Sequence, residues 1–476
     1  MYRRLLLAVM LLCGLSLFAQ TYNFTPYTTS GYATWNTVAD FNRDGYPDIA
    51  VSNEPADGSG SGAGTVDIFL NNVDAKHGNF GTPVTYAIPS FGPIIAVDVN
   101  GDRWPDLLIA GQQTGGNTIL LNNGDGTFRM GVAPITKAVP IMFVAGDFNN
   151  NGRVDLAAVE SDGIEILKNN GSGTFTSVQT IPSSGKNAVV RDFDGDGHLD
   201  IAFTNGTSTF IYWGSSNGTF NSHLTLSNPS SDPLYWVASA DFNNDGRYDL
   251  AVTSNHPCSD PTNFCGVTTA HVYKNLGSRK FSLVSSNQIG DDAYAQIYTA
   301  DVNSDLNEDL VALNDSVWDG QISYRPGNGN NTFGTEAVIE GTTSVDLAFA
   351  DLNLDSKKDL VYPEFFPSGA EVVGIATSGN RNCTGLGSAT LAAKFCEPTD
   401  GANAVETFPV KAAGNGPLGV RRLELWIDGV KVYEKLGDQM NHKVTLTPGQ
   451  HRLVVVAIGE YTGTATAVSY ITVVNQ

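Results

Sequence analysis

The sequence predicts an all-β chain in which four-stranded units repeat radially, as in a β-propeller, ahead of a smaller β-domain of different design. Three observations predict it. A nine-residue acidic stretch recurs seven times, beginning at Asp40, Asp98, Asp147, Asp192, Asp241, Asp301 and Asp351, at intervals of 45 to 60 residues. A Gly/Asn turn ending on Phe recurs as Gly126-Thr127-Phe128, Gly173-Thr174-Phe175 and Gly218-Thr219-Phe220, and persists as Lys280-Phe281 and Asn331-Thr332-Phe333. Beyond the N-terminus no long stretch has helical periodicity. One acidic nonapeptide would mean little, because Asp, Asn and Gly are ordinary turn residues. Seven at near-regular spacing mark a repeat architecture.

Residues 1–19 read as a secretory signal peptide, with Arg3 and Arg4, an apolar run over 5–18, and Ala19 at the cleavage point. That run is too short to span a bilayer comfortably, and no later segment is long enough for a membrane helix. Cys13 follows the bulky Leu12, which argues against lipoprotein processing. Export implies an oxidising compartment. Without Cys13 four Cys remain, and local pairing of Cys258 with Cys265 and Cys383 with Cys396 is favoured over the two connectivities that join separate regions.

The repeats occupy 20–380. In each, a β-prone run such as 34–39 leads into the acidic loop, and a second apolar run (48–51) follows. A variable loop then leads to a third strand (65–70), and the Gly/Asn turn and Phe open a fourth. After the seventh third strand, 371–377, the Gly-Thr-Phe turn is missing. The short run 22–28 has no unit of its own, so it is expected to supply that last strand, closing the ring and hiding an edge.

These repeats resemble the FG-GAP/VCBS family, known from the integrin α-subunit propeller. The resemblance covers roughly residues 22–379 and rests on both the acidic loop and the Gly-Thr-Phe turn. It implies a seven-bladed propeller, which seven copies fit, and a role in ligand recognition. From about 382 the pattern changes to short runs (405–410, 423–427, 430–433, 443–446 and 452–458) separated by turns such as Asp428-Gly429 and Pro448-Gly449. This 381–476 segment reads as an immunoglobulin-like sandwich, and its 425–429 stretch resembles bacterial Ig-like modules. The expected fold is therefore all-β, a seven-bladed β-propeller followed by an immunoglobulin-like β-sandwich.

The acidic loops carry the clearest chemistry. Oxygen side chains at positions 1, 3, 5 and 9, with Gly at 6 for the tight turn, suit a hard cation such as Ca²⁺. The candidate ligands are Asp40, Asn42, Asp44 and Asp48; Asp98, Asn100, Asp102 and Asp106; Asp147, Asn149, Asn151 and Asp155; and Asp192, Asp194, Asp196 and Asp200. The remaining loops contribute Asp241, Asn243, Asp245 and Asp249; Asp301, Asn303, Asp305 and Asp309; and Asp351, Asn353, Asp355 and Asp359. Where Gly is kept, the position-7 carbonyls of Tyr46, Arg153, His198 and Arg247 join them. Arg103, Leu306 and Ser356 replace the Gly, so those sites depend on a non-Gly residue taking its geometry. Full EF-hands are excluded, since Glu at position 12 and flanking helices are absent. The calcium is expected to be structural.

The net charge of −22 follows mainly from these loops. They hold 21 Asp, and seven Ca²⁺ would return +14. Nucleic acid is excluded as a partner, because its binding needs a basic surface. No zinc-type cluster or phosphate loop appears. Gly214-Ser215-Ser216-Asn217-Gly218 matches a nucleophile elbow formally, but it occupies a strand turn where the motif needs strand-turn-helix. Glu54, Asp57, Asp162, Asp319 and Glu364, acids outside the loops, show no sign of converging. The expectation is a non-enzyme. The face opposite the acidic loops bears the insertions 53–64 and 254–269 and the aromatics Trp35, Phe91, Tyr235, Trp236, Tyr294 and Trp318. A secreted ligand-binding or adhesion protein for an extracellular carbohydrate or protein ligand is the reading. The alternatives are a polysaccharide-acting enzyme with its site in the funnel and a structural envelope component.

Overall fold

Second strands are buried on both faces, and this decides the architecture. Asp155–Val159, Asp200–Thr204 and Asp309–Asn314 are buried throughout, and Asp48–Glu54 in all but its last residue. Their continuous apolar runs need cover on two sides, which neighbouring sheets provide. Fourth strands such as Thr174–Ile181 and Lys280–Gln288 instead alternate with solvent. The computed structural model describes residues 22–55, 63–71, 80–112, 116–256, 267–290, 295–314, 321–341, 344–353, 357–365, 371–378, 392–397, 403–404, 407–415, 420–436, 439–459 and 464–473. The predicted signal peptide, Cys258, Cys265, Cys383 and the Cys396 side chain lie outside them, and so do both predicted disulfides.

The repeats form seven four-stranded antiparallel sheets, each in simple up-and-down order, the architecture of a β-propeller. The first runs Tyr32–Ala39, Asp48–Glu54, Gly64–Phe69, Val84–Ile88. The seventh is assembled from both ends of the repeat region: Ala348–Ala350, Asp359–Phe365 and Glu371–Ser378, completed by Tyr22–Thr28. Tyr22 pairs with Ser378 and Thr28 with Val372, antiparallel, as the missing turn predicted.

Each apolar cluster is shared by two successive sheets. Ala50, Val66 and Ile68 of the first pack with Leu107, Ile109 and Leu120 of the second. Ala33, Ile49 and Val51 of the first also pack with Ala350 and Val361 of the seventh, so the series of cores returns to its start. First strands of most neighbouring sheets lie against one another, placing them innermost around the axis.

Beyond the ring, a three-stranded sheet (Ala392–Glu397, Thr407–Asn415, Gln439–Thr445) faces a five-stranded one. The latter is ordered Asn403–Ala404, Thr464–Val473, Gly449–Gly459, Val420–Ile427, Val430–Leu436. Val410, Met440 and Val444 of one sheet share a core with Leu423, Leu425, Val455 and Ile471 of the other, making a sandwich. Asp428 (φ 50°) and Gly429 (φ 86°) form the tight hairpin turn that the Asp-Gly pair predicted. The sequence reading missed the strands Ala392–Glu397 and Thr464–Val473.

Candidate metal-binding loops and axial cavity

Each acidic loop joins the first strand of a sheet to the second. The position-1 carboxylate organises it: Asp192 Oδ1 accepts from the Gly195 N–H at 2.8 Å, and Oδ2 from the Gly197 N–H at 2.9 Å. Asp194 and Asp196 each accept the N–H two residues on, at 3.0 and 2.9 Å. Positions 4 and 6 are left-handed throughout the first six loops. At position 6, Arg103 (φ 74°) and Leu306 (φ 73°) take the conformation that Gly45, Gly152, Gly197 and Gly246 adopt elsewhere. The ring of N–H groups survives the substitution, with Arg103 N–H reaching Asp98 at 2.7 Å and Leu306 N–H reaching Asp301 at 2.9 Å. In the seventh loop, Asp355 and Ser356 lie outside the described residues.

Position 9 does more than the sequence reading assigned it. In the first six loops both of its oxygens are tied down. Asp48 accepts from Phe41 N–H and from Asn71 N–H, both at 2.8 Å; Asp200 does the same with Phe193 and Gly214, and Asp309 with Val302 and Gly327. The carboxylate thus fastens the loop to the end of its sheet's third strand. Burial pushes these acids up, helped by neighbouring loop carboxylates and opposed by the backbone bonds: Asp106 and Asp249 to about 6, Asp48 and Asp200 to about 7, Asp309 to about 8.

The Asn that ends the third strand escaped the sequence reading. Asn71, Asn122, Asn169 and Asn275 are buried, and each amide donates to two carbonyls: one at position 8 of its own loop, one at position 2 of the preceding sheet's loop. Asn71 bonds Leu352 O at 2.7 Å and so links first sheet to seventh. The signal available was Asn-x-Gly at this point in three units, where the Gly N–H bonds the Asn Oδ1. Position 2 also explains the Phe turns. Phe41, Phe148 and Phe242 meet Phe128, Phe220 and Phe333 of the next sheet edge-on, with centroids 5.3 to 5.4 Å apart.

The loops differ as metal sites. In the fourth, oxygens of Asp192, Asp194 and Asp200 lie within 4.8 Å of one another, a donor set that can hold a metal ion. Asn149 and Asn243 turn their amide nitrogens to the position-9 carboxylates, at 2.5 and 2.7 Å, so in this arrangement they bind the carboxylate instead of facing a cation with oxygen. Side-chain cations neutralise three loops: Arg279 on Asp194 (2.6 Å), Lys274 and the loop's own Arg247 on Asp245 (3.4 and 2.7 Å), and Lys435 of the sandwich on Asp351 (2.6 Å). The fold thus supplies positive charge where acids cluster.

On the axis, at the end away from these loops, the first strands and the segments leading into them enclose a cavity of about 300 Å³. Trp35, Asn36, Gln112, Trp236, Tyr298 and Asp346 are in its wall. Asp346 accepts from Asn36 N–H at 2.9 Å and Nδ2 at 3.3 Å, and from the Tyr298 hydroxyl at 3.2 Å. Burial pushes its carboxyl up to about 6. Among the described residues in the wall it is the single carboxylate, and no His is present.

The model of the FG-GAP-like repeat matches residues 98–158, 147–191 and 192–252, and that of the FG-GAP repeat matches 32–69. The chain carries FG-GAP repeats. No curated protein sequence matches it. Among solved structures, the chain is similar to an Agrocybe aegerita lectin that recognises non-reducing terminal N-acetylglucosamine (16% identity, 67% of this chain and 81% of that one, TM-score 0.44). It is similar to BBS1N in complex with ARL6DN (13%, 75% and 96%, TM-score 0.48). The V. cholerae biofilm matrix protein Bap1 is a third (13%, 96% and 85%, TM-score 0.36).

The aromatics expected on the face of the propeller opposite its acidic loops divide. Trp35 and Trp236 reach the cavity. Phe91 is instead core, 5% exposed, packed against Trp35 because it sits where two sheets meet. Tyr294, Trp318, Asp57 and Asp319 lie outside the described residues, as does the Glu364 side chain. Ser216 of the elbow-like stretch is in an exposed turn between strands, with Ser215 Oγ bonded to Thr219 O at 2.6 Å. No helix among the described residues is long and apolar enough to cross a membrane.

Proposed function

We propose that the chain is a secreted, calcium-stabilised, seven-bladed FG-GAP propeller that binds an extracellular carbohydrate or protein ligand, with an Ig-like module as spacer or accessory binder. The axial cavity carries this reading. Two Trp and a Tyr surround a few fixed polar groups, the make-up of a binding pocket. Glycoside cleavage uses a pair of carboxylates, and here one carboxylate is already held by three hydrogen bonds. Calcium binding is supported by the oxygen-only donor set of the fourth loop and its clustered acids, whose repulsion a cation removes. When bound, the ion supplies charge neutralisation at a turn between two strands.

The test is incubation of the calcium-loaded protein with a panel of polysaccharides, scoring retention and new chain ends. Retention that Trp236→Ala abolishes, without new ends, is the expected result. New chain ends would make it an enzyme; neither signal would leave a protein ligand or a structural role.

A further inference from the structure

The hydrogen-bonding inventory of the axial cavity is unbalanced, and the imbalance points to a ligand. Gln112 Nε2 is spent on Pro140 O at 2.8 Å, and Gln296 Nε2 on Val345 O at 3.1 Å. The Tyr298 hydroxyl is shared between Gln296 Oε1 at 2.7 Å and Asp346 Oδ1. Acceptors remain. Asn36 is 5% exposed, and its Oδ1 is buried without a hydrogen-bond partner among the described residues. Its orientation is fixed, because the amide nitrogen must face the Asp346 carboxylate. No ion pair to Asp346 is found among the described residues, and Lys186, the cation in the wall, is exposed.

A buried acceptor without a donor and a carboxylate without a counter-ion are each costly. An ammonium group answers both, since it carries positive charge and three donors and no acceptor. Trp35, Trp236 and Tyr298 add aromatic surface that attracts a cation and stacks on a sugar ring. The indole N–H groups of Trp35 and Trp236 can meet ring hydroxyls. The volume is at the lower limit for ligand pockets and admits about one ring.

We propose that the axial cavity binds a terminal hexosamine whose free ammonium group pairs with Asp346, beside the unpartnered Asn36 Oδ1. This rests on the carbohydrate reading of the propeller and deepens it. Lys186 at the wall's exposed edge is then a donor for hydroxyl oxygens and not a partner for the amine.

The experiment is titration calorimetry of the full chain with glucosamine, glucose, N-acetylglucosamine and lysine at pH 7.5. Glucosamine should bind at least about tenfold more tightly than glucose or N-acetylglucosamine, which keep the ring but lack the charge, a difference of about 1.4 kcal/mol. Asp346→Asn should erase that preference while its melting curve shows a folded protein. Lys186→Ala should preserve it. Equal binding of glucose would overturn the ammonium assignment and leave the carbohydrate reading standing. Tighter binding of lysine than glucosamine would overturn the hexosamine, and so would no binding of any probe at 20 mM. Retention on the polysaccharide panel decides the broader reading independently.

Discussion

Replacing Asn169 by Ala isolates the device that joins one sheet to the next. Asn169 is 2% exposed; its amide donates to Val99 O at 2.8 Å in the preceding sheet's loop and to Val154 O at 2.9 Å in its own, while Oδ1 accepts the Gly171 N–H at 2.8 Å. The backbone bond from Asn169 N–H to Asp155 survives in the variant. Three polar groups, one buried and two half-buried, therefore lose partners, at about 1 kcal/mol each or somewhat more, so a total of roughly 3–4 kcal/mol is expected. A ring of some 350 residues has an unfolding entropy near 0.7 kcal/mol/K, which makes this a drop of roughly 4–6 °C in melting temperature. Asn170→Ala is the control, because that side chain makes its bond to Thr176 in solvent. Differential scanning calorimetry of both variants at saturating calcium is the assay. A drop under about 1 °C for Asn169→Ala, or equal drops for both, would refute the claim that the Asn amide binds the sheets together.

Phe148→Ala, at a side chain with no exposure and an edge contact to Phe220, should cost about 3–5 kcal/mol, read as a lower denaturant midpoint. Arg103→Gly should leave stability equal or raise it by up to about 1 kcal/mol, because it relieves a left-handed non-Gly residue; clear destabilisation would mean the Arg side chain matters more than its φ. Removing calcium with a chelator should lower the melting temperature and excess Ca²⁺ should restore it, each site held at a hundredfold its Kd adding about 2.7 kcal/mol. Asp346 gives a pH signature. Its folded pKa, about 6, exceeds the unfolded value of 3.8, so its contribution is fully present below that value and is lost as pH rises through 6. Tyr298, pushed well above 10, stays neutral across this range. Without ligand, Asp346→Asn should therefore be more stable than the parent at pH 7, with the gap closing towards pH 4; a constant gap would contradict the assignment.

Much of this was legible because repetition turned weak local signals into a strong one. Seven acidic loops gave the strand order of each unit, and one missing Phe turn gave the partner of Tyr22–Thr28. Features that depend on what meets what across sheets were harder. Phe128 stood out as a recurring position, but nothing local says that it touches Phe41 of the preceding sheet's loop. Asn122 looked like part of a polar turn because Asn is common there; its burial comes from the neighbouring sheet's loop, 81 residues earlier in the chain. Phe91 was expected on the surface because it follows a fourth strand, yet the next sheet covers it. The cavity was invisible for the same reason. Trp35, Trp236, Tyr298 and Asp346 come from four different units and converge only around the axis.

The strand that completes the seventh sheet sets an order of events. Thr28 finds its partner Val372 only after roughly 340 further residues have been made, so the earliest part of the ring must wait, unpaired, for the latest. Six sheets can form in succession as the chain grows, each against the one before. The last step is of another kind: it converts an open arc into a closed circle, and the two ends then protect each other from unravelling. A nascent or nicked chain that lacks either end should therefore persist as an arc with a bare strand edge, the form most prone to capture a second copy of itself.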